Sequence, residues 1–483
     1  MRRNLGFLLV LSQILSACGM TVTEPDNKKI TLNGVTATQA YFDFFDASIY
    51  HEIVIEVTKD EITHLDNYMK QAFAKYGHYR ISSYVKANFV YREDGKEKIR
   101  IDEIGLRTHG NIFSRYLIEY NGSTMNSQHY RISFDETFDL KEGSTAYEQR
   151  KKRELYGLEN LVIKWNKTSS WSAGQVDPYI LESYGYSLYE KAGIPSSKAT
   201  LVHVIFSIGG NEIDQGVMTM IEPVDDQFIQ KRFDKNSQNG NLYKALWQNA
   251  QADLQNTQAN LFGIKSEEDN YFPAYDIKTN DEINKGDDLK DLIRMVTIKT
   301  GKNFTDAIKT ELDIDNFINF NAINYLYGNP DDFRYNSNNY YLYHDSSNKP
   351  QWFFIPTDLD KGLGITDWNP DGAEMRSVLP LDPFTSNYTF PVPLILRKTI
   401  LSEASEFQNL YLQKLKDQVN SFFDYDEFVK AYQVANTLYA KDVSRTETRT
   451  IMKPFGIPDN VTKYYCVQTY KVINLIQPTT ECD

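Results

Sequence analysis

The sequence has little cysteine and little histidine: three Cys and seven His in 483 residues. No two of them stand at C-x2-C or H-x2-H spacing, which argues against a zinc site. It also lacks basic excess. With 52 Lys and Arg against 65 Asp and Glu, its formal charge is −13, the wrong sign for non-specific nucleic-acid binding. Internal repeats and low-complexity blocks are absent, which excludes solenoids and long disordered tracts. The apolar run at the N-terminus, Gly6 to Leu11, is too short to span a membrane as a stable helix. What is present is a chain 41% hydrophobic and 13% aromatic, enough to bury a large core. The length suits about three domains or one large two-lobed domain.

That apolar run follows Arg2 and Arg3 and ends in Leu15-Ser16-Ala17-Cys18. A basic n-region, an apolar h-region and small residues before Cys are similar to a bacterial lipobox. The expectation is a signal peptide over 1–17, lipidation of Cys18 and a polar tether over 18–45. Gly19 after the Cys favours an outer-membrane or cell-surface anchor. In an oxidising compartment Cys466 and Cys482 are expected to pair.

Residues 46–245 read as a strand-rich lobe. Strands are expected near 50–57, 98–108, 130–135 and 161–165, with a helix over 59–76. Asp177 as cap, Pro178 in the first turn and Gly193 at the end predict a helix over 178–192. Two strands, 201–208 and 215–221, flank Gly209-Gly210 as a hairpin. Residues 246–286, rich in Asn, Gln and Asp, are expected to form a variable surface insertion. Beyond 287 the periodicity turns helical at 288–300, 313–327, 404–424 and 425–442. Strands first and helices later suggest an α+β protein with two lobes.

Within the helical part, residues 328–364 gather acids at both ends of a hairpin. Gly328 ends a helix, and Asp331, Asp332, Asn336, Asn338 and Asn339 precede a strand. The strand returns at 351–356, with Asp358 and Asp360 after it. A hairpin brings its open ends together, so these oxygens should converge. Converging carboxylates repel unless a hard cation joins them. Asp and Asn that merely make the turns, or a calcium loop without EF-hand spacing, are the competing readings.

Four segments then resemble the CotH family of spore-coat-H-type atypical kinases. Ile104-Gly-Leu-Arg-Thr-His-Gly-Asn111 is similar to its I-x-x-R-T-K-G-N, and Tyr130-Arg-Ile-Ser-Phe-Asp135 to its F-K-I-x-F-D. Gly216 to Glu222 with Asn241-Leu-Tyr-Lys244 is similar to its G-x-Y-x-x-x-E and L-Y-K. Asn339-Tyr-Tyr-Leu-Tyr343 with Ile355-Pro-Thr-Asp-Leu-Asp360 is similar to its N-Y-x-L-Y and I-P-W-D-x-D. The resemblance spans about 100–364. It implies a two-lobed atypical protein-kinase-like fold, strand-rich then helix-rich, that uses ATP and Mg²⁺ or Mn²⁺.

Carried onto this sequence, the resemblance makes Asp331 the catalytic base, with Asp332 beside it. Asp358 becomes the principal metal ligand, with Asp360 and Asn339. Asn336, five residues after Asp331, is the alternative ligand because that is the protein-kinase spacing. Arg107, Arg131, Lys164 and Lys244 are candidates to hold the nucleotide phosphates, and Glu182 or Glu222 to hold such a cation in place. Glu222 with Lys244 is the favoured pair, since both sit in matched motifs. The chain departs from the family at Thr357, where Trp is usual, and at Leu181, where Arg often precedes the Glu.

The expected function is an extracytoplasmic Mg-dependent kinase acting on hydroxyl side chains of exported proteins. Its partners would be ATP, an exported protein substrate and a membrane reached through Cys18, with no nucleic acid. The alternative is a catalytically inactive surface lipoprotein, a pseudokinase or adhesin on the same fold. A metal-assisted transferase or hydrolase acting on glycans is a third class.

Overall fold

The computed structural model describes residues 28–112, 114–166, 176–365, 377–383, 392–443 and 453–482. The leader and Cys18 lie outside them. A short ribbon, β1 (Lys29–Leu32) and β2 (Val35–Thr38), leads into helix α1 (Gln39–Phe44). Seven strands then close into a barrel. They are β3 (His51–Val57), β4 (Val85–Glu93), β5 (Lys96–His109), β6 (His129–Ser133), β7 (Asn160–Trp165), β8 (Ala199–Ile208) and β9 (Asn211–Ile221). Around the barrel the order is β3-β4-β5-β6-β7-β9-β8. Every pair is antiparallel except β3 with β8, where the chain closes the barrel.

Side chains on a strand alternate between faces. Leu161, Ile163 and Trp165 of β7 join Ile132, Phe206 and Met220 inside the barrel. Val162, of opposite parity, packs outward into a second core. Lys164 shares that outward parity, which sets its role. The long helix α2 (Lys59–Tyr76) is capped by Thr58, which accepts from the Glu61 N–H, and ends at left-handed Gly77. The small helix α3 (Thr145–Arg150) bridges β6 and β7.

Helix α4 (Leu181–Lys191) starts three residues later than the sequence suggests. Asp177 accepts from the Tyr179 N–H, an Asx turn that competes with capping a helix at Pro178. After α5 (Asp226–Arg232) a second sheet runs in the order β11-β12-β10-β13-β14. Its strands are β10 (Asn241–Ala245), β11 (Phe262–Gly263), β12 (Tyr275–Ile277), β13 (Tyr340–His344) and β14 (Trp352–Pro356). The segment expected as a surface insertion is therefore structural. It supplies β11 and β12 to this sheet, and Ala252, Leu254, Phe262 and Tyr275 to the second core. Its polar composition reflects the loops between these buried apolar points.

The helices that cover this sheet are α6 (Asp287–Ile298), α7 (Gly301–Glu311), α8 (Ile314–Tyr327), α9 (Phe333–Asn336), α10 (Leu394–Lys398), α11 (Glu406–Val419), α12 (Tyr425–Tyr439) and α13 (Asp459–Asn474). Helices α7 and α13 have no counterpart in the sequence reading. Residues 316–327 of α8 are all buried or nearly so, so α8 is the central helix of this core. Cys466 on α13 is disulfide-bonded to Cys482, with Cα atoms 5.7 Å apart. Among the described residues no helix is long and apolar enough to cross a membrane. The fold is mixed α+β, with a closed barrel, a mixed sheet and a helical layer.

Candidate functional site

Lys164 is the centre of the site. It projects from the outer face of β7 and meets Glu182 in the first turn of α4, 2.9 Å away. The same ammonium contacts the Asp358 carboxylate and lies 3.6 Å from Asp360. Lys164 and Glu182 are buried, whereas the Asp358 and Asp360 side chains are 43% and 49% exposed. The cluster thus opens to solvent on its aspartate side.

The electrostatics follow from one cation among three acids. Desolvation alone would discharge Lys164, but the fields of Asp358, Asp360 and Glu182 outweigh it and hold the ammonium well above the ordinary lysine range. Burial pushes Glu182 up, to about 7, with Lys164 offsetting part of the shift and Asp360 and Asp358 adding to it. Desolvation also pushes Asp358 up, but Lys164, with Lys244 and Lys361, overcomes it and holds this carboxylate well below its ordinary range.

The second acidic segment follows α8. Gly328, at φ +67°, ends that helix in the left-handed region. An added Cβ there would lie within 3.0 Å of the Tyr464 ring and hydroxyl, so the turn tolerates only Gly. Asn329 then links the two segments. Its amide nitrogen donates to the Asp358 carbonyl at 3.2 Å, and its amide oxygen accepts from the Asp331 N–H at 2.9 Å. The Thr357 N–H donates to the Asn339 carbonyl at 3.2 Å. Asp331 accepts from the Asn336 and Asn338 amides at 2.5 and 3.2 Å. Burial raises the Asp331 carboxyl to about 6, against the lowering effects of Lys361 and the two Asn amides.

Two tyrosines tie α4 to the Asp358 loop. The Tyr327 hydroxyl is within hydrogen-bond distance of the Leu181 and Leu359 carbonyls, at 2.9 and 2.7 Å. The Tyr186 hydroxyl accepts from the Asp358 N–H at 3.1 Å. Gly185 and Gly362 flank the Tyr327 ring; a Cβ on either would come within 3.0 Å of it. Asp358 itself has φ +58°, a backbone state costly for a residue with a Cβ and one that clusters at functional sites.

Three of the basic candidates, Arg107, Arg131 and Lys164, share the outer face of the barrel. Arg107 and Arg131 are directly paired across β5 and β6, and the next residue in that row is Val162 of β7. Lys244 of β10 lies over the Tyr341 ring and is near enough to lower Asp358. No ion pair among the described residues engages Arg107, Arg131 or Lys244.

The structure corrects one expected pair and places two other candidates. Glu222 does not pair with Lys244. It is buried against Arg232, 2.5 Å away, with Lys231 at 3.7 Å, and accepts from the Lys198 N–H. Its position one residue past the end of β9 points it toward α5 rather than β10. The pair that forms is Lys164 with Glu182. Asp332 is not a second acid beside Asp331. It is buried, and its carboxylate caps α9 by accepting from the Tyr335 N–H at 3.0 Å. Asn339 meets the Asp358 segment through its backbone, at φ +53°, whereas Asn336 is the one bonded to Asp331.

The sequence reading did not single out Asn329, Tyr186, Tyr327 or Lys361. Asn329 carries a faint signal, an Asn two residues before the candidate base. The tyrosines carry none, because a chain with 33 Tyr does not distinguish two of them.

The family model described as CotH kinase protein matches residues 106–464, a span that includes Lys164, Glu182, Asp331 and Asp358. The chain belongs to the CotH family. None of the curated proteins compared with it matches. CotH membership covers most of the barrel, the whole second sheet and the helices around α8, so every member of the site lies inside the family region.

Proposed function

We propose that this CotH protein is an extracytoplasmic kinase that transfers the γ-phosphate of ATP to hydroxyl side chains of exported or surface proteins. The observation that supports it most is Lys164, held by Glu182 of α4 and turned onto Asp358, with Asp331 and Asn336 five residues apart on the adjoining loop. A strand lysine, a helix glutamate, a metal-binding aspartate and an Asp-x4-Asn pair are the parts that phosphoryl transfer in protein kinases requires. In this reading the barrel and the helical layer are the two lobes of a kinase-like fold.

The donor set fits a hard divalent cation. Asp358 and Asp360 present half-exposed carboxylate oxygens, and Asn336 an amide oxygen. Among the described residues no group of three or more His, Cys, Asp or Glu is arranged to hold a metal. Mg²⁺ or Mn²⁺ binds one or two carboxylates and completes its shell with water and substrate phosphates, and Asp358 with Asp360 would supply the two. When bound, the cation supplies charge neutralisation of the phosphate oxygens.

The residues of the chain do the rest. Glu182 orients Lys164, and Lys164 with Arg107, Arg131 and Lys244 binds the phosphates of ATP. Asp331, raised to about 6, is ionised at neutral pH yet basic enough to accept the proton of the attacking hydroxyl. Asn336 and Asn338 fix its orientation. Lipidated Cys18 would keep the site on the outer side of a membrane, beside exported substrates.

Isothermal titration of ATP into the purified chain, with Mg²⁺ and with EDTA, tests the proposal. Binding that requires both the metal and Asp358, lost in Asp358→Asn, is the expected result. Absence of binding in every condition would favour the alternative, a non-catalytic surface-binding lipoprotein.

A further inference from the structure

The outer barrel face carries a second row beside Arg107, Arg131 and Val162. His109 of β5 pairs with His129 of β6, and the next position in register on β7 is Lys164. His129 accepts from the Trp165 N–H at 3.0 Å, which fixes that ring against β7. His109 has no such anchor: its Nδ1 is buried with no hydrogen-bond partner. Gly110 follows at φ +111°, where a Cβ would strike Ser114 Oγ, and β5 ends at His109. The Nε of Arg107, two residues earlier on the same face, is likewise buried and unpartnered.

Several cations stand around His109. Arg107 lies on its own strand, Arg115 in the loop that follows, Arg131 on β6, Lys244 on β10 and Lys164 on β7 in the same row. Desolvation first, and then the fields of Arg107, Arg115, Arg131 and Lys244, push the imidazole well below its ordinary range. Arg115 shares Glu267 with Arg80 and Lys265, so that one carboxylate is already saturated. In a chain with net charge −13, this cluster of cations around the unpartnered His109 Nδ1 and Arg107 Nε is a locally positive surface.

We propose that His109 is a further ligand for the phosphates of the nucleotide and that its protonation is linked to their binding. The inference rests on the reading of the site as a nucleotide-binding one. In the free protein His109 is neutral, because a proton there would be poorly solvated and close to Arg107, Arg115, Arg131 and Lys244. A polyphosphate seated against Arg107, Arg131 and Lys244 reverses that field. The imidazole then takes one proton from solvent and donates a charge-assisted hydrogen bond to a phosphate oxygen. The complex holds one proton more than the free chain, so affinity rises as pH falls. His109 is thus a proton-dependent determinant of donor binding, separate from the Asp331 and Asp358 machinery.

The test is calorimetry of the full chain at pH 6 and pH 8, in two buffers of different ionisation enthalpy. The probes are ATP with Mg²⁺ and inorganic tripolyphosphate, with wild type, His109→Lys and His109→Gln compared. Wild type should bind both probes roughly tenfold more tightly at pH 6 than at pH 8, with uptake of about one proton. His109→Lys should bind tightly at both pH values without that uptake. His109→Gln should bind about tenfold more weakly than wild type at pH 6 and no differently at pH 8. Glu182 and Asp331 also titrate nearby, but they remain in all three proteins, so the differences isolate His109.

Equal proton uptake in the three proteins overturns the role of His109 and leaves the kinase reading standing. His109-dependent binding of tripolyphosphate without any binding of ATP keeps the anion site and overturns the kinase reading. Failure of both probes to bind wild type overturns both.

Discussion

The Lys164 ammonium lies 2.9 Å from the Glu182 carboxylate and at the same time contacts Asp358, so one buried cation joins the barrel, helix α4 and the acidic hairpin end. Removing it would leave Glu182 buried and unpaired, and such losses cost roughly 3–5 kcal/mol. Glu182 can escape part of that cost by taking a proton. Lys164→Met should therefore abolish nucleotide binding and destabilise the fold more at pH 8 than at pH 6. The sign follows from linkage: a carboxyl raised in the folded state binds more protons there than in the unfolded chain, so stability falls as pH rises toward the folded pKa. Thermal melts of wild type and Lys164→Met at the two pH values check it; equal losses would mean that Glu182 stays charged.

Asp331 and Asp332 are adjacent but have different tasks. Asp331→Asn should reduce phosphotransfer about 10²-fold or more while nucleotide affinity stays near wild type. Asp332→Asn should keep the cap and most activity, and Asp332→Ala should cost about 1 kcal/mol of stability. Steady-state kinetics with denaturant titrations separates the two effects.

The same carboxyl sets a pH limit. With Asp331 raised to about 6, its base form is lost as pH falls through that value. The rate profile of kcat/KM should fall on the acid side of about pH 6, and that limb should disappear in the residual activity of Asp331→Asn. A profile flat from pH 8 to pH 5 would remove Asp331 from the base role.

Tyr327 holds α4 and the Asp358 loop at a common distance, and Gly185 leaves room for its ring. Gly185→Ala should destabilise the chain by about 1–3 kcal/mol through overpacking and weaken nucleotide binding, because Glu182 and Asp358 move apart. Tyr327→Phe should cost roughly 1 kcal/mol from the lost hydrogen bond. Calorimetric binding and melting of the two variants distinguish displacement of the site from simple loss of stability.

The disulfide joins Cys466, midway along α13, to Cys482 beyond the helix. Cys482→Ser should lower stability by about 3 kcal/mol in the chain-entropy account without changing nucleotide affinity. A large loss of affinity would show that α13, which packs on the Gly328 turn through Tyr464, transmits the effect.

Sequence alone determined much here, for local reasons. Helix α2 is bounded by a capping Thr and a terminal Gly, and β13 with β14 by alternation and a turn. The four family segments give the CotH assignment without coordinates. The Asp-Asn spacing on the 331–336 loop is likewise a local pattern.

Only the tertiary structure decided which candidates meet. Glu182 and Glu222 are equivalent acids on paper, and Lys164 and Lys244 equivalent cations. Strand parity turns Lys164 outward to α4, while the chain past β9 turns Glu222 toward Arg232. Barrel closure through the parallel β3–β8 pair, and the row that runs from His109 through His129 to Lys164, join strands far apart in sequence. Such register is fixed by cross-strand packing rather than by neighbours along the chain.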